Sequence, residues 1–416
     1  MDEKLKETLE IKNFLSISYI KWEIAQFNII TGDMGAGKSI CIKLLKFFED
    51  IIRDLLVLPY EDFLVNLVAD NFYSKLTNEF MEIFDFLTLK SNMQPEFKII
   101  YTFSYNSEEF EVIISGKGET DISIKSLHLE KILNEWLEYF QKKEEPNSVI
   151  TPDGFAEAKM YLYTELRKKF DGYFPMVTTF VPASRAALAF GSSHIDNYLK
   201  KYKELIDVIP RYKSRNHELT KKILKADVKI EDRLYLVSDD GRKVPIAKAS
   251  SGQQEIVYVL LLLDKLGNFS YYYGTHQSLF IEEPEAHLFP LEQKQTIELI
   301  VHMFNILKGN GNSVRFFITT HSPYILDSLN NSLKKGNLLN TYKGKEEKIN
   351  DAIDIPHLNA DEVSAYSISI NGNGESMMDD EKEYLHSNKI SEISNVINIV
   401  TSKLRQLDNE LYYEKD

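Results

Sequence analysis

The chain has 416 residues and a formal charge of −14, longer than one ordinary hydrophobic core accommodates, so one large α/β domain carrying an insertion, or two lobes, is expected. Abundant Phe and Tyr without a long low-complexity tract argue against a disordered chain, and the acidic balance argues against a uniformly basic surface built to hold nucleic acid. The longest apolar run, Ile256 to Leu263, is far short of the roughly 20 residues of a membrane span, and the single cysteine, Cys41, excludes an intrachain disulfide or a cysteine metal cluster. Met1 to Glu10 alternates acidic and basic residues and has no apolar stretch of a signal peptide, so a cytoplasmic protein is expected.

In chain order, Leu9 to Phe14 and Lys21 to Thr31 read as two strands, the second ending in the apolar run Phe27-Asn28-Ile29-Ile30. Helical apolar spacing runs from Ile40 to Asp54. Between them lies Gly32-Asp33-Met34-Gly35-Ala36-Gly37-Lys38-Ser39, a glycine loop in the strand, loop, helix context that a phosphate-binding loop requires. Its glycines let successive N–H groups point inward at a triphosphate. Lys38 neutralises the β and γ phosphates, the Ser39 hydroxyl can reach Mg²⁺, and the helix start adds its positive dipole end. ATP and Mg²⁺ are therefore the expected cofactors, with Ile40 and Asn13 joining the nucleotide-binding set.

Phe97 to Phe103 and Glu108 to Ser115 read as paired strands around the polar turn Ser104-Tyr105-Asn106-Ser107. Helical patterns at Leu127 to Lys142 and Phe155 to Phe170, separated by a breaker-rich loop, suggest a helical insertion reaching about Lys225, and no heptad seam is sustained. Between Lys200 and Lys225, nine basic residues, including Lys221 and Lys222, face only Glu204, Asp207 and Glu218. That run reads either as a solvated helix face or as a surface for DNA, RNA or an acidic partner. Lys229 to Val237 and Lys243 to Ile246 form a strand pair that leads through Ser250-Ser251-Gly252-Gln253-Gln254-Glu255 into a buried helix ending near Leu266. Strands at Ser278 to Ile281 and Ser313 to Thr319 alternate with helices at Leu291 to Leu307 and near Tyr324 to Leu329, which implies a parallel sheet covered on both faces. Further helices fall around Tyr384 to Glu410.

Leu279-Phe280-Ile281-Glu282-Glu283-Pro284 is an apolar strand ending in two carboxylates at the sheet edge where α/β proteins bind ligands. Following a buried strand, such a pair is costly to desolvate without a cation nearby. Glu282 would serve the metal directly or through water, and Glu283 would orient or deprotonate the attacking water. Arg315-Phe316-Phe317-Ile318-Thr319-Thr320-His321-Ser322 is a second such strand, and His321 could bond the γ-phosphate or that water. The catalytic set is then Glu283, His321 and Lys38, with Ser39 and Glu282 on the metal.

Taken together, the glycine loop, Ser250 to Glu255, Glu282-Glu283-Pro284-Glu285-Ala286-His287-Leu288 and Thr319-Thr320-His321-Ser322-Pro323 resemble ABC-type ATPase heads, in the branch with SMC-type and OLD-family proteins. The resemblance covers roughly Leu9 to Ser115 and Val228 to Asn330. It implies an ABC-type head with a mixed sheet, an antiparallel β-subdomain and a helical insertion. The corresponding divisions are 1–118 and 228–335 for the head, 119–227 for a mostly helical insertion and 336–416 for an α-rich extension. It further implies a dimer in which Ser251, Gly252 and Gln253 of one copy close over ATP held by the other. Val181-Pro182-Ala183-Ser184-Arg185 resembles a strand-end motif of compact members, so Arg185 could reach phosphate or the dimer seam. The sequence departs from the family in three ways: Gln253 replaces a second glycine, Glu282 replaces the usual aspartate, and no Q-loop glutamine is identifiable.

Compact members of that branch include ATPase subunits of bacterial antiphage systems such as the Septu and PARIS types. The resemblance therefore implies an ATP-driven switch that controls a separate nuclease or toxin. A DNA repair head that clamps duplex DNA is the alternative. A nuclease of the OLD type is not expected, because no TOPRIM-like glutamate strand and strand-end Asp-x-Asp follow His321.

Overall fold

A six-stranded sheet, in the order β14-β13-β3-β12-β11-β7, forms the centre of the computed structural model. The structure describes residues 5–56, 58, 60–84, 96–106, 108–117, 122–143, 152–170, 177–183, 217–231, 234–268, 276–309, 313–379, 381, 383–385 and 395–413. The central strands are β3 (Phe27–Gly32), β7 (Val177–Val181), β11 (Gln277–Glu282), β12 (Val314–Thr320), β13 (Val363–Ile368) and β14 (Gly374–Ser376). All pair in parallel except β14, which runs antiparallel to β13. The expected head with a mixed sheet is therefore present.

Strand alternation divides the core in two. Ile30, Phe180, Phe280, Phe317 and Ile368 point to one face, where they meet α1 (Lys38–Leu56) and a second, antiparallel sheet. Phe27, Ile29, Leu279, Ile281, Phe316 and Ile318 point to the other, against α7 (Ser251–Asn268), α8 (Pro290–Gly309) and α9 (Pro323–Thr341). Burial on both faces is why these strands read as continuous apolar runs. Cys41 is buried on α1 and burial pushes its thiol up, so it is an inert core residue.

The second sheet has the order β2-β1-β4-β5-β6, built from β1 (Lys6–Phe14), β2 (Ile17–Glu23), β4 (Phe97–Tyr105), β5 (Glu108–Gly116) and β6 (Ser123–Lys125). It is the expected antiparallel subdomain. Helices α2 (Tyr60–Asn66), α3 (Ala69–Ile83), α4 (Leu127–Lys143) and α5 (Pro152–Lys169) flank it. A third sheet, β10-β9-β8, comprises β8 (Asp227–Ile230), β9 (Leu234–Val237) and β10 (Lys243–Pro245) and follows α6 (His217–Leu224). Among the described residues, no helix is long and apolar enough to cross a membrane.

Two expected strands are each divided. Lys21 to Thr31 breaks between Glu23 and Phe27, where the chain leaves the antiparallel sheet for the central one. The corner is held by the fully buried Asn28, whose Oδ1 accepts from the Ala25 N–H at 2.9 Å and whose Nδ2 donates to the Ala25 and Phe316 carbonyls at 2.7 and 3.2 Å. Lys229 to Val237 folds back on itself, with Ile230 paired to Leu234. Two further strands fall within the mostly helical insertion and the α-rich extension, the first ending at Val181, where the strand-end motif begins. β7 forms one edge of the central sheet, and β13 lies directly beside β3. The extension also contributes α10 (Glu346–Ala352) and α11 (Asn395–Tyr413), whose Leu404, Leu407 and Leu411 join Leu338 and Tyr342 in a separate apolar cluster.

Candidate active site

β3 delivers the chain into the glycine loop at Gly32, and α1 begins at Lys38. Gly32 has φ +144°, and a Cβ there would lie 2.2 Å from the Ile368 carbonyl oxygen on β13. Only glycine allows both the conformation and the close approach of the two strands. Gly35 and Gly37 also have positive φ, and the loop closes through Ala36 N–H to Asp33 O at 3.2 Å and Ile40 N–H to Gly37 O at 3.0 Å. Lys38 is buried and its ammonium donates to the Gly32 and Asp33 carbonyls, both at 2.9 Å. Burial pushes Lys38 down, while Glu283, Glu285 and Asp33 act in the opposite direction. Ser39 and Ile40 are half-buried at the helix start, Asp33 and Gly35 are exposed, and Met34 is 92% exposed.

Because β3, β12 and β11 are adjacent and parallel, their C-terminal ends come together, with Thr31 opposite Thr320 and Thr319 opposite Glu282. Glu282 is buried, and its Oε2 accepts from the Ala183 N–H beyond β7 at 3.1 Å. Glu283 takes the left-handed conformation, φ 43°, and its N–H donates to the Thr319 carbonyl at 3.0 Å. A non-glycine residue held there is strained, a feature that clusters at functional sites. Glu285 is buried, accepting at Oε1 from the Thr320 hydroxyl at 2.7 Å and the His321 N–H at 3.0 Å, while Oε2 is buried without a hydrogen-bond partner. Burial raises its carboxyl, though these bonds oppose the shift.

His321 Nδ1 lies 3.7 Å from Glu283 Oε1 and 3.6 Å from Glu285 Oε1. Its contact with Glu283 raises the imidazole above its ordinary value, with Glu285 adding to the effect and burial opposing it. Lys38, Glu283 and His321 thus share one electrostatic neighbourhood, as the motifs suggest. The spacing in sequence did not assign Glu285 or Thr320 a part. The signal was available, since Glu282, Glu283 and Glu285 follow one apolar strand and a hydroxyl precedes His321.

The segment Ser250 to Glu255 forms the N-terminus of α7. Ser250 Oγ accepts from the Gln253 N–H at 3.3 Å, and Gln253 Oε1 accepts from the Ser250 N–H at 3.2 Å. This reciprocal pair is a capping box. Gln253 Nε2 also donates to the Leu224 carbonyl at 2.8 Å. The residue that departs from the family pattern therefore finishes the helix within its own chain. A Cβ on Gly252 would lie 2.7 Å from the His287 carbonyl oxygen, which joins the helix start to the turn after Glu283. Ser251 is exposed beside it.

Asn13 is left-handed at φ 54°, and its Nδ2 donates to the Glu96 carbonyl at 3.4 Å; Ser16 and Ile17 are the residues against Gly37. Arg185 lies outside the described residues, as do positions 200–216 of the basic run. In the remainder of that run, Lys221 reaches Asp239 at 2.5 Å and Asp227 at 3.3 Å, and Lys225 reaches Glu292 at 2.5 Å.

A glycine loop between a parallel strand and a helix, with strand-end carboxylates and a histidine beside its lysine, fits the P-loop ATPase head that the motifs resemble. More particularly, residues 27–327, well over half of the chain, match the model of the family described as "AAA domain, putative AbiEii toxin, Type IV TA system", and the chain belongs to that family. Similar solved structures include the SMC head domain from Thermotoga maritima, at 13% identity and TM-score 0.33, covering 78% of this chain and 92% of that one. An SMC head bound to the C-winged helix domain of ScpA has 16% identity and TM-score 0.39, covering 89% and 97%. The recombination mediator RecF in the RecFOR pathway has 13% identity and TM-score 0.33, covering 90% and 98%. No curated protein matches the chain.

Proposed function

We propose that this ATPase is a switch: ATP with Mg²⁺ on the glycine loop is closed over by Ser251 and Gly252 of a second copy, and hydrolysis loosens the pair. The observation that carries the reading is the convergence of Lys38, Glu283, Glu285 and His321 at the ends of adjacent parallel strands. The buried Glu285 Oε2 without a hydrogen-bond partner fits a cation at this site. Ser39 and Glu282 would hold Mg²⁺, which supplies charge neutralisation at the phosphates.

Lys38 turns its ammonium from the loop carbonyls to the β and γ phosphates. Glu283 accepts a proton from, or orients, the attacking water. His321, kept near Glu283 and Glu285, donates toward the developing charge. Glu285 acts as a positioning residue by holding the His321 backbone.

The controlled partner is a separate nuclease or toxin, in bacterial antiphage defence. Support comes from the absence of a sustained heptad arm in the sequence and from a family description that names a toxin–antitoxin system. The DNA-clamping alternative has less support, since Lys221 and Lys225 are engaged with acids of the same chain. Glu283→Gln should lower steady-state ATP turnover by about 10²-fold or more and retain an ATP-bound dimer in size-exclusion chromatography. Normal turnover in that variant would remove Glu283 from the mechanism.

A further inference from the structure

Hydrogen bonds beside the catalytic groups close into a ring that passes through a side chain with no part in the chemistry above, Gln293 in the first turn of α8. Glu285 Oε1 accepts from the Thr320 hydroxyl at 2.7 Å, and Thr320 Oγ accepts from the Ser322 N–H at 3.0 Å. The Ser322 hydroxyl donates to Gln293 Oε1, and Gln293 Nε2 donates to the Leu288 carbonyl at 2.8 Å. The Leu288 N–H then returns to the Glu285 carbonyl at 3.0 Å. The turn after Glu283 is thereby tied to the strand end that carries His321.

Closing the ring needs a donor and an acceptor on one side chain. The Leu288 carbonyl can only accept, which fixes the amide nitrogen of Gln293 on that side. Ser322 Oγ already accepts from the Tyr324 and Ile325 N–H groups at 3.1 and 3.3 Å, so its hydroxyl hydrogen is directed to the amide oxygen. Glutamine meets both demands. An ionised glutamate lacks the donor, and methionine, of similar length, lacks both groups.

What the ring holds is strained. Glu283 and His287, at the two ends of the turn, have φ 43° and 59°, and residues other than glycine keep such conformations where their surroundings over-determine them. The Ala286 N–H donates to the Glu283 carbonyl at 3.1 Å, which makes the Glu283 backbone continuous with the ring. The same turn supports the start of α7, since a Cβ on Gly252 would lie 2.7 Å from the His287 carbonyl oxygen and 3.2 Å from Leu288 Cδ2. At such close packing, a displaced turn displaces Gly252 with it.

We propose that Gln293 is a positioning residue for ATP hydrolysis, holding Glu283 and His321 in register and, through the turn at His287 and Leu288, setting the position of Gly252. The second half rests on the switch reading above, in which Gly252 meets the ATP of another copy. Two measurements on the full chain test the halves separately. In steady-state ATPase assays Gln293→Met should lower kcat by about 10-fold or more, while ATP affinity stays within about 2-fold of the parent and the circular dichroism spectrum is unaltered. Gln293→Glu, which still accepts from Ser322, should recover part of that kcat. A Gln293→Met kcat equal to the parent's, a matching loss of ATP affinity, or a Gln293→Glu protein as slow as Gln293→Met would overturn the positioning role and leave an ordinary structural contact. For the second half, Gln293→Met is added to Glu283→Gln and the ATP-bound dimer is followed by size-exclusion chromatography against protein concentration. The dimer should weaken by about 10-fold or more; an unchanged dimer would overturn the link to Gly252. If Glu283→Gln alone forms no ATP-bound dimer, the switch reading fails and takes that link with it, whereas the kcat comparison still decides the positioning role.

Discussion

Replacing Arg315 by methionine should be among the most damaging single changes outside the nucleotide site. The guanidinium is buried on β12, donating to Glu7 on β1 and Glu49 on α1, and lying 3.2 Å from Ser278 Oγ on β11. Glu7 in turn accepts from Tyr101 Oη at 2.8 Å. One side chain therefore ties the antiparallel sheet, the glycine-loop helix and the central sheet together. Burial pushes the Arg315 guanidinium down to about 9, still protonated at neutral pH, and pushes the Glu49 carboxyl well up. Methionine has similar bulk but leaves Glu7 buried without its cation, a loss of about 3–5 kcal/mol. With a urea slope of about 3 kcal/mol per molar, the unfolding midpoint should drop by about 1 M or more. Glu49→Gln should cost under about 1 kcal/mol, because the amide carbonyl can accept the same Arg315 bond. A carboxyl raised by folding lowers stability as pH increases from its ordinary 4.5 toward the folded value. Glutamine removes that loss, so the variant should match or exceed the parent at pH 8. A Glu49→Gln midpoint as low as that of Arg315→Met would refute this account of the Arg315 cluster.

At Asp327, burial raises the carboxyl from 3.8 to about 6, so stability should fall between about pH 4 and 6 and then level off. Asp327→Asn should remove that fall and raise stability at pH 7.5 by up to about 3 kcal/mol, measured by thermal melts at pH 4.5 and 7.5; equal pH dependence in both proteins would contradict it. Because Glu283 is the largest influence raising His321, Glu283→Gln should bring the imidazole titration down toward 6.5, read by NMR; an unchanged midpoint would separate the two side chains. Gly32→Ala places a Cβ 2.2 Å from the Ile368 carbonyl at φ +144°, so about 3 kcal/mol of stability and most ATP binding should be lost. Retained ATP affinity would mean that β13 yields there. Charge reversal at Lys222 should leave ATPase activity unresponsive to DNA, as in the parent, if the effector is a protein. Lys221 is unsuited to that test because it bridges Asp227 and Asp239.

The sequence by itself determined the features whose chemistry is local. The glycine loop is legible because the turn, the lysine and the helix start are consecutive, and the sites of Glu283 and His321 because each follows an apolar run buried on both faces. The hairpin of β4 and β5 and the helices α4 and α5 were legible for the same reason of periodicity. Tertiary structure decided which of these segments are neighbours. β13, more than 300 residues from β3, borders it in parallel, an adjacency that sequence spacing cannot encode. Even so, the hairpin-forming Asn371-Gly372 beyond β13 offered a usable signal that strand, and not helix, precedes it. The break between β2 and β3 depends on Asn28 being buried where its amide closes the corner, which turns an apparently continuous strand into two. Gln253 and Gly252 likewise take their roles from Ser250, Leu224 and the His287 carbonyl. Residue types set what each group could do, but hydrogen bonds and close contacts between distant segments decided what each one does.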